Sequence, residues 1–249
     1  MSLIIPPKYK LKLLPETTEM AIKMLKDAFQ ERLSKTLNLR RVTAPLFVLS
    51  GTGLNDDLNG SERAVSFPIA DMGGRQAEVV HSLAKWKRVK LGAYDIAPGF
   101  GLYTDMNAIR RDEELDNLHS IYVDQWDWEA VIDKADRNVN TLKETVKKIY
   151  SAIKSTHKLI KQQYPEINTE LPEDITFITT QELEDMYPDL EPKAREDKLL
   201  REKKAVFLMQ IGKTLKSGKK HDGRAPDYDD WELNGDILVY YPLLDISFE

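Results

Sequence analysis

Residues 118–129 read Leu-His-Ser-Ile-Tyr-Val-Asp-Gln-Trp-Asp-Trp-Glu, a stretch rich in the aromatic and β-branched residues that favour β-strands. Successive side chains of a strand point to opposite faces, so a strand over 120–129 separates Trp126 and Trp128 from the polar residues between and beside them. That polar face comprises Gln125, Asp127 and Glu129. The pattern alone favours an ordinary solvated face. A surface that binds a charged small molecule is the alternative, and it depends on residues elsewhere in the chain.

A second strand is predicted over 99–109, directly before the charged turn at 110–114. Together with 120–129 it predicts an antiparallel hairpin whose loop carries Arg110 and Glu113. An arginine in such a loop can bind a phosphate or a carboxylate through two parallel hydrogen bonds.

The segments before this hairpin predict alternating helices and strands. A helix opens at Pro15, with Thr17 or Thr18 as its N-cap. A strand over 40–49 follows, and Pro45 within it must lie at an edge, a bulge or an interface because proline cannot donate to a ladder.

A hairpin over 64–81 leads into a short basic helix at 82–90. A run of lysines and arginines is usually a solvated face. Here the helix also starts directly after a strand, where its free N–H groups favour an anion.

The second half of the chain predicts a long scaffold helix over 138–161, with Thr141 and Glu144 as a capping box. Near the C-terminus, Asp236 and Glu249 bracket a predicted strand and the turn after it. Two carboxylates so placed can coordinate Mg²⁺ together with phosphate oxygens, although alone they would be read as surface acids.

Composition excludes several classes of protein. The length of 249 residues fits one large domain or two small ones, and the net charge of −5 gives no reason to expect nucleic-acid binding. The absence of cysteine excludes disulfides, thiolate metal sites and a cysteine nucleophile. No apolar run approaches the roughly 18 residues of a membrane span, and no signal peptide is recognisable, so we expect a cytoplasmic protein.

Four runs closely resemble the ammonia-dependent asparagine synthetases, the aspartate–ammonia ligases. They are residues 80–88 (Val-His-Ser-Leu-Ala-Lys-Trp-Lys-Arg), 101–104 (Gly-Leu-Tyr-Thr), 118–129 and 224–231 (Arg-Ala-Pro-Asp-Tyr-Asp-Asp-Trp). That family resembles the catalytic core of class II aminoacyl-tRNA synthetases, nearest to the aspartyl and asparaginyl enzymes. The resemblance implies an α+β fold, a single catalytic domain over 1–249 with an antiparallel sheet flanked by helices, and a homodimer. The first helix and the Pro45 strand would lie at the dimer interface, and the 101–129 hairpin would bind ATP.

The family reaction activates aspartate with ATP and Mg²⁺ to β-aspartyl-AMP and pyrophosphate, after which ammonia attacks the acyl carbon to give asparagine and AMP. By resemblance, Lys87 holds a substrate carboxylate and Arg110 bridges the substrate and the α-phosphate of ATP. The amino end of aspartate would be held by Ser82, Gln125 and Asp127.

The resemblance also assigns the remaining site residues. Asp56 and Asp229 would line the ammonia side, where a carboxylate can attract ammonium and accept its proton. The residues near adenine and ribose would be Glu113, Leu118 and Ser120. Asp236 and Glu249 would hold Mg²⁺ and the phosphates of ATP.

The chain departs from the family pattern in two places. The family continues past the position of Glu249 into a third motif, whose arginine packs on adenine, and it has a longer loop where only Glu232 separates Trp231 from Leu233. We expect omitted segments rather than a shortened variant, because losing the third motif would expose a sheet edge.

Two other functions stay open. Transfer of the aminoacyl group to tRNA is disfavoured, because no basic or OB-like domain precedes the core. A non-catalytic adenylate-binding module is supported only by the missing third motif. Glutamine as nitrogen donor is disfavoured, because no glutaminase domain and no cysteine nucleophile are present.

Overall fold

The structure is a computed structural model that describes residues 3–56, 58, 62–225 and 229–249. Its chain divides into two compact units. Unit 1 contains mainly Ser34–Lys134, and unit 2 contains Ile4–Leu33, Ala135–Arg224 and Asp229–Glu249. The prediction of one catalytic domain remains a prediction.

Five α-helices and ten strands are found in the described part of the chain. In chain order they are α1 (Pro15–Thr36), β1 (Leu39–Arg41), β2 (Phe47–Leu49), β3 (Ser66–Ile69), β4 (Arg75–Val79), α2 (Ala84–Ala93), β5 (Gly101–Ile109), β6 (Tyr122–Ala130), α3 (Val139–Gln163), β7 (Thr176–Thr179), α4 (Thr180–Met186), α5 (Pro192–Lys203), β8 (Ala205–Met209), β9 (Gly235–Tyr241) and β10 (Ile246–Phe248).

The predicted hairpin forms the centre of unit 1. β5 and β6 pair antiparallel from Gly101 opposite Ala130 to Ile109 opposite Tyr122, and β1 adds a parallel strand beside β5. Gly101 is required there, because a Cβ at this position would collide with the carbonyl oxygen of Glu129 and lie 2.8 Å from the Cα of Ala130.

A second, antiparallel sheet in unit 1 has the order β2-β4-β3. The predicted hairpin over 64–81 is confirmed as β3 and β4. The predicted single strand over 40–49 is wrong, because β1 and β2 belong to different sheets and Pro45 lies in the link between them. Because proline has no N–H to donate to a neighbouring strand, a continuous strand through Pro45 would lose a hydrogen bond of its sheet. The chain instead passes from one sheet to the other at this position.

Unit 2 is built on a sheet of order β10-β9-β8-β7, antiparallel except for the parallel pair of β7 and β8. Strand β8 is buried throughout. Val206 and Leu208 pack with Leu183, Leu199 and Leu200 of α4 and α5. The alternate residues Ala205, Phe207 and Met209 pack with Val146 and Tyr150 of α3. Helices therefore flank both faces of this sheet, as predicted.

Two predicted helix caps are wrong. Helix α1 begins at Pro15 as expected, but Thr18 then lies inside the helix and its hydroxyl donates to the carbonyl of Leu14 at 3.0 Å. Helix α3 is capped by Asn138, whose Oδ1 accepts the N–H groups of Asn140 and Thr141, so Thr141 is not the N-cap. Among the helices of the described ranges, none is long and apolar enough to cross a membrane.

Candidate active site

The polar face predicted for β6 exists in unit 1 and is covered by α2. Gln125, Asp127 and Glu129 alternate along β6, opposite Met106, Thr104 and Leu102 of β5. Helix α2 packs on this hairpin and directs Lys87 and Arg88 at the two carboxylates. The strand and the helix thus bring acids and bases together on one surface.

Lys87 forms the most buried ion pair of this surface. Its side chain is 0% exposed, and its Nζ donates to Oδ2 of Asp127, which is 21% exposed. The same oxygen accepts the N–H of Leu83, at the start of α2, at 3.3 Å. A buried ammonium is tolerated only when it is paired, so Lys87 and Asp127 depend on each other.

Arg88 and Glu129 form a neighbouring, more exposed pair. The Nε of Arg88 donates to Oε2 of Glu129 at 3.1 Å. Burial raises the pKa of Glu129 above its ordinary value, and the nearby Arg88 only partly opposes this shift. The ion pair with Arg88 therefore offsets only part of the free-energy cost of burying the Glu129 carboxylate.

Asp56 is fully buried beside the start of α2. Its Oδ2 accepts the N–H of Ala84 at 3.0 Å, and the same N–H lies 3.4 Å from the Oγ of Ser82. Its Oδ1 is buried and has no hydrogen-bond partner in the described chain, with the Nζ of Lys85 4.0 Å away. The expected anions at the start of this helix are thus the protein's own carboxylates, and the second oxygen of Asp56 faces the ammonium of Lys85.

Asn55 and His81 complete this corner, and sequence reasoning missed both. Oδ1 of Asn55 accepts the N–H of His81 at 2.8 Å, and the ring nitrogen Nδ1 of His81 lies 3.2 Å from the carbonyl of Asp56. A carbonyl can only accept, so Nδ1 carries the proton. No local pattern could have revealed these contacts, since they join residues 25 and 26 positions apart.

The loop of the β5–β6 hairpin carries the predicted nucleotide residues. The N–H of Arg110 donates to the carbonyl of Ile121 at 2.8 Å and closes the hairpin, while its Nη1 lies 4.0 Å from Glu113. Leu118 and Ser120 are exposed in the same loop.

A contact from outside the hairpin also reaches this loop. Arg63 donates to both carboxylate oxygens of Asp112, at 2.9 Å from Nε to Oδ2. This pair could not be predicted from the sequence, because a lone arginine and a lone aspartate match no pattern.

Unit 2 holds the other three predicted residues. Asp236 receives a hydrogen bond from Nη2 of Arg224, yet burial and the neighbouring Glu249 raise the pKa of Asp236 to about 7. Asp229 is partly exposed, and residues 226–228 of its motif lie outside the described part of the chain. Within that part, no group of three or more histidines and acids is arranged to hold a metal ion.

The predicted residues therefore fall into two groups. The members in unit 1 are Asp56, Ser82, Lys87, Arg110, Glu113, Leu118, Ser120, Gln125 and Asp127. The members in unit 2 are Asp229, Asp236 and Glu249. Within unit 1, Lys87 bonds directly to Asp127. Asp56 and Ser82 both lie at the N–H of Ala84, at the start of the same helix.

Comparison with solved structures defines the class of fold. The asparaginyl-tRNA synthetase of Pyrococcus horikoshii, solved with asparaginyl-adenylate, aligns with a TM-score of 0.61 at 17% identity, over 89% of this chain and 50% of that one. The asparaginyl-tRNA synthetase of Entamoeba histolytica, also with asparaginyl-adenylate, aligns with a TM-score of 0.52 at 11% identity, over 78% and 44%. The chain spans about half of each synthetase, and it has the class II aminoacyl-tRNA synthetase fold.

Sequence comparison defines the family. The aspartate–ammonia ligase family model matches residues 16–249. The aspartate–ammonia ligase of Ruminiclostridium cellulolyticum is 62% identical over 248 residues, which is 100% of this chain and 74% of that protein. The corresponding protein of Bacteroides thetaiotaomicron is 57% identical over 259 residues, 100% of this chain and 75% of its own length. The chain belongs to the aspartate–ammonia ligase family, and it is a ligase.

Proposed function

We propose that this ligase converts L-aspartate and ammonia to L-asparagine at the expense of ATP, through β-aspartyl-AMP, in asparagine biosynthesis. The family membership supports the overall reaction, and the relatives carry that activity in their names. The observation that carries the proposal is the buried Lys87–Asp127 pair. Aspartate carries two carboxylates and an ammonium, so its site needs a cationic and an anionic side chain close together.

Aspartate binding exchanges partners within that pair. Lys87 transfers its hydrogen bond from Asp127 to a substrate carboxylate, and Asp127 accepts the substrate ammonium in return. Both charges stay paired throughout, which keeps the desolvation penalty low. Gln125 and Ser82 would bind the amino end. The position of Gln125 on the same strand face as Asp127, and of Ser82 at the start of α2, supports this role.

Adenylation joins the β-carboxylate of aspartate to the α-phosphorus of ATP and releases pyrophosphate. Arg110 binds the α-phosphate, where negative charge develops, and Nε of Arg110 is buried without a hydrogen-bond partner in the described residues. Glu113, Leu118 and Ser120 share its loop and contact ribose and adenine.

Amidation breaks the mixed anhydride. The nitrogen of ammonia attacks the acyl carbon, AMP leaves, and the nitrogen loses a proton. Asp56 would attract ammonium. This role is supported by its buried Oδ1, which has no hydrogen-bond partner in the described chain and lies 4.0 Å from Nζ of Lys85. We assign Asp56 as the acceptor of that proton. The family resemblance also assigns Asp229 to the ammonia side.

Asp236 and Glu249 would hold Mg²⁺ with the phosphates. The two carboxylates lie close enough that Glu249 helps to raise the pKa of Asp236 to about 7, so a divalent cation would relieve their repulsion. Mg²⁺ typically binds one or two carboxylates together with substrate phosphates, which fits this donor set. When bound, it would neutralise charge on the triphosphate.

We also propose a cytoplasmic homodimer that does not bind nucleic acid. Helix α1 supports the dimer, because only Ala21, Ala28 and Leu33 of its 22 residues are buried. Met20, Ile22 and Leu25 are apolar and exposed. Light scattering of the purified protein should give twice the monomer mass; the monomer mass would contradict the dimer.

The substrate assignment is tested by comparing Asp127→Asn with Glu129→Gln. Both variants neutralise an acid on the same face of β6, but only Asp127 is assigned to the substrate ammonium. Asp127→Asn should raise the KM for aspartate by about tenfold to hundredfold, as expected for a lost charge-assisted hydrogen bond. The KM for ATP should stay within about twofold. Equal effects of the two variants on the KM for aspartate would refute the assignment of Asp127.

A further inference from the structure

A buried polar network in unit 2 is centred on Glu196 of α5. Its Oε1 accepts a hydrogen bond from Nε2 of His221 at 2.9 Å. Its Oε2 accepts from Lys193 Nζ at 3.0 Å and from the hydroxyl of Ser247 at 3.3 Å. The adjacent Asp197 accepts the N–H of Ser247 at 2.7 Å. One carboxylate therefore joins α5, the segment at His221 and strand β10.

This network is too buried to be an ordinary surface contact. The side chains of His221 and Glu196 are 2% and 13% exposed, and Ser247 is completely buried. Burial raises the pKa of Glu196, but hydrogen bonds from His221 and Lys193 and the charge of Lys193 outweigh it and leave the pKa below its ordinary value. Glu196 is thus an ionised acceptor whose two oxygens bind different segments.

Both segments lead directly to the proposed Mg²⁺ and phosphate residues. Three residues after His221, Arg224 donates to Asp236. Two residues after Ser247 comes Glu249, which acts electrostatically on both Asp236 and Arg224. Among the described residues, Glu196 forms no hydrogen bond with either carboxylate, although its charge adds to the rise in the pKa of Asp236. It is hydrogen-bonded to both segments that carry or contact these carboxylates.

We propose that Glu196 is a positioning residue of the nucleotide site. One oxygen of its carboxylate binds His221 and the other binds Ser247. These two contacts fix the positions of Arg224, Asp236 and Glu249 for binding Mg²⁺ and ATP. The inference rests on the proposed function of Asp236 and Glu249. Residues that orient metal ligands typically affect metal affinity or activity by roughly 10–100-fold, although they never touch the metal.

The same helix supplies a matched control. Arg201 of α5 donates to Asp245, which lies in the turn between β9 and β10, at 2.9 Å. This pair also ties α5 to the β9–β10 hairpin, but it is exposed and lies at the turn rather than beside Glu249. A general loss of attachment between α5 and the hairpin would therefore appear in Asp245→Asn as well.

Glu196→Gln is the test variant, because it keeps the size of the side chain but replaces one acceptor oxygen with a donor. Calorimetric titration with ATP in Mg²⁺ should show roughly tenfold to hundredfold weaker binding. The KM for aspartate should stay within about twofold. A merely structural role would not weaken ATP binding while leaving the KM for aspartate unchanged. Asp245→Asn should bind Mg²⁺ and ATP like the unaltered protein.

Variants of the two partners guard against a folding defect in Glu196→Gln. Ser247→Ala removes one hydroxyl from the network and should weaken Mg²⁺–ATP binding in the same direction. His221→Gln retains a side-chain N–H donor for Glu196 and should bind more tightly than His221→Leu. Unchanged binding in Ser247→Ala, and equal binding in the two His221 variants, would overturn the positioning role.

Asp236→Asn separates failure of this inference from failure of the proposed function. If Asp236→Asn weakens Mg²⁺–ATP binding and Glu196→Gln does not, the site stands and the positioning role is refuted. If Asp236→Asn leaves binding unchanged, the proposed metal site is wrong and the role of Glu196 in it falls too. Weakening by both, with the control unaffected, supports the proposal.

Discussion

Replacing Lys87 with methionine tests how strongly the site depends on its buried ion pair. The side chain of Lys87 is completely buried against Asp127. Among the described residues, its loss leaves that carboxylate with one N–H donor, from Leu83 at 3.3 Å. Removing one partner of a buried pair costs about 3–5 kcal/mol. Asp127 is 21% exposed and water can reach it, so we expect the lower end, about 3 kcal/mol.

For a chain of this size, such a loss corresponds to a fall in Tm of roughly 6–12 °C. Arg88→Met is the matched control on the same helix. Arg88 is 47% exposed, so breaking its pair with Glu129 should cost only about 0.2–1 kcal/mol.

Urea unfolding followed by tryptophan fluorescence measures both free energies. The double variant Lys87→Met with Asp127→Asn also removes the unpaired charge of Asp127. It should therefore recover much of the free energy of unfolding that Lys87→Met loses. Saturating aspartate should stabilise the unaltered protein and not Lys87→Met. Equal stability of Lys87→Met and Arg88→Met would show that the buried pair contributes little. A double variant as unstable as Lys87→Met would show that the unpaired charge of Asp127 is not the cause of the loss.

Two further predictions concern the scaffold. Gly101→Ala should destabilise the protein by about 1–3 kcal/mol in urea unfolding, because the new Cβ would press on the backbone of Glu129 and Ala130; unchanged stability would show that the two strands can separate. Burial and the charge of Lys161 lower the pKa of His157 below its ordinary value, so the folded state binds fewer protons there than the unfolded state. The stability from this group is present above pH 6.5 and is lost as the pH falls through the folded pKa, and His157→Gln should flatten the stability curve in that window. An identical curve in the variant would contradict this source of the pH dependence.

Elements marked by local periodicity could be predicted from the sequence. The β5–β6 hairpin follows from alternation of polar and apolar residues, and the hairpin over 64–81 is present as β3 and β4. The division of 40–49 into two strands could not be predicted, because local pattern does not say which sheet a strand joins. The cap of α3 was misplaced by three residues, since Asn138 and Thr141 are both acceptable capping residues.

The candidate site shows the same limit. Gln125, Asp127 and Glu129 share a face because of strand geometry alone, so their grouping was predictable. The roles given to Lys87 and Arg110 came from the family resemblance. The contacts of Asn55 with His81, and of Glu196 with His221, join residues about 25 positions apart and are set by tertiary packing.

We propose that this chain makes asparagine by adenylating aspartate and then adding ammonia. The most direct test is release of AMP from ATP, Mg²⁺ and aspartate, with and without ammonium, in the absence of tRNA. We predict that AMP release depends on ammonium and that one asparagine accompanies each AMP. AMP without asparagine, or turnover only when tRNA is added, would contradict the proposed reaction.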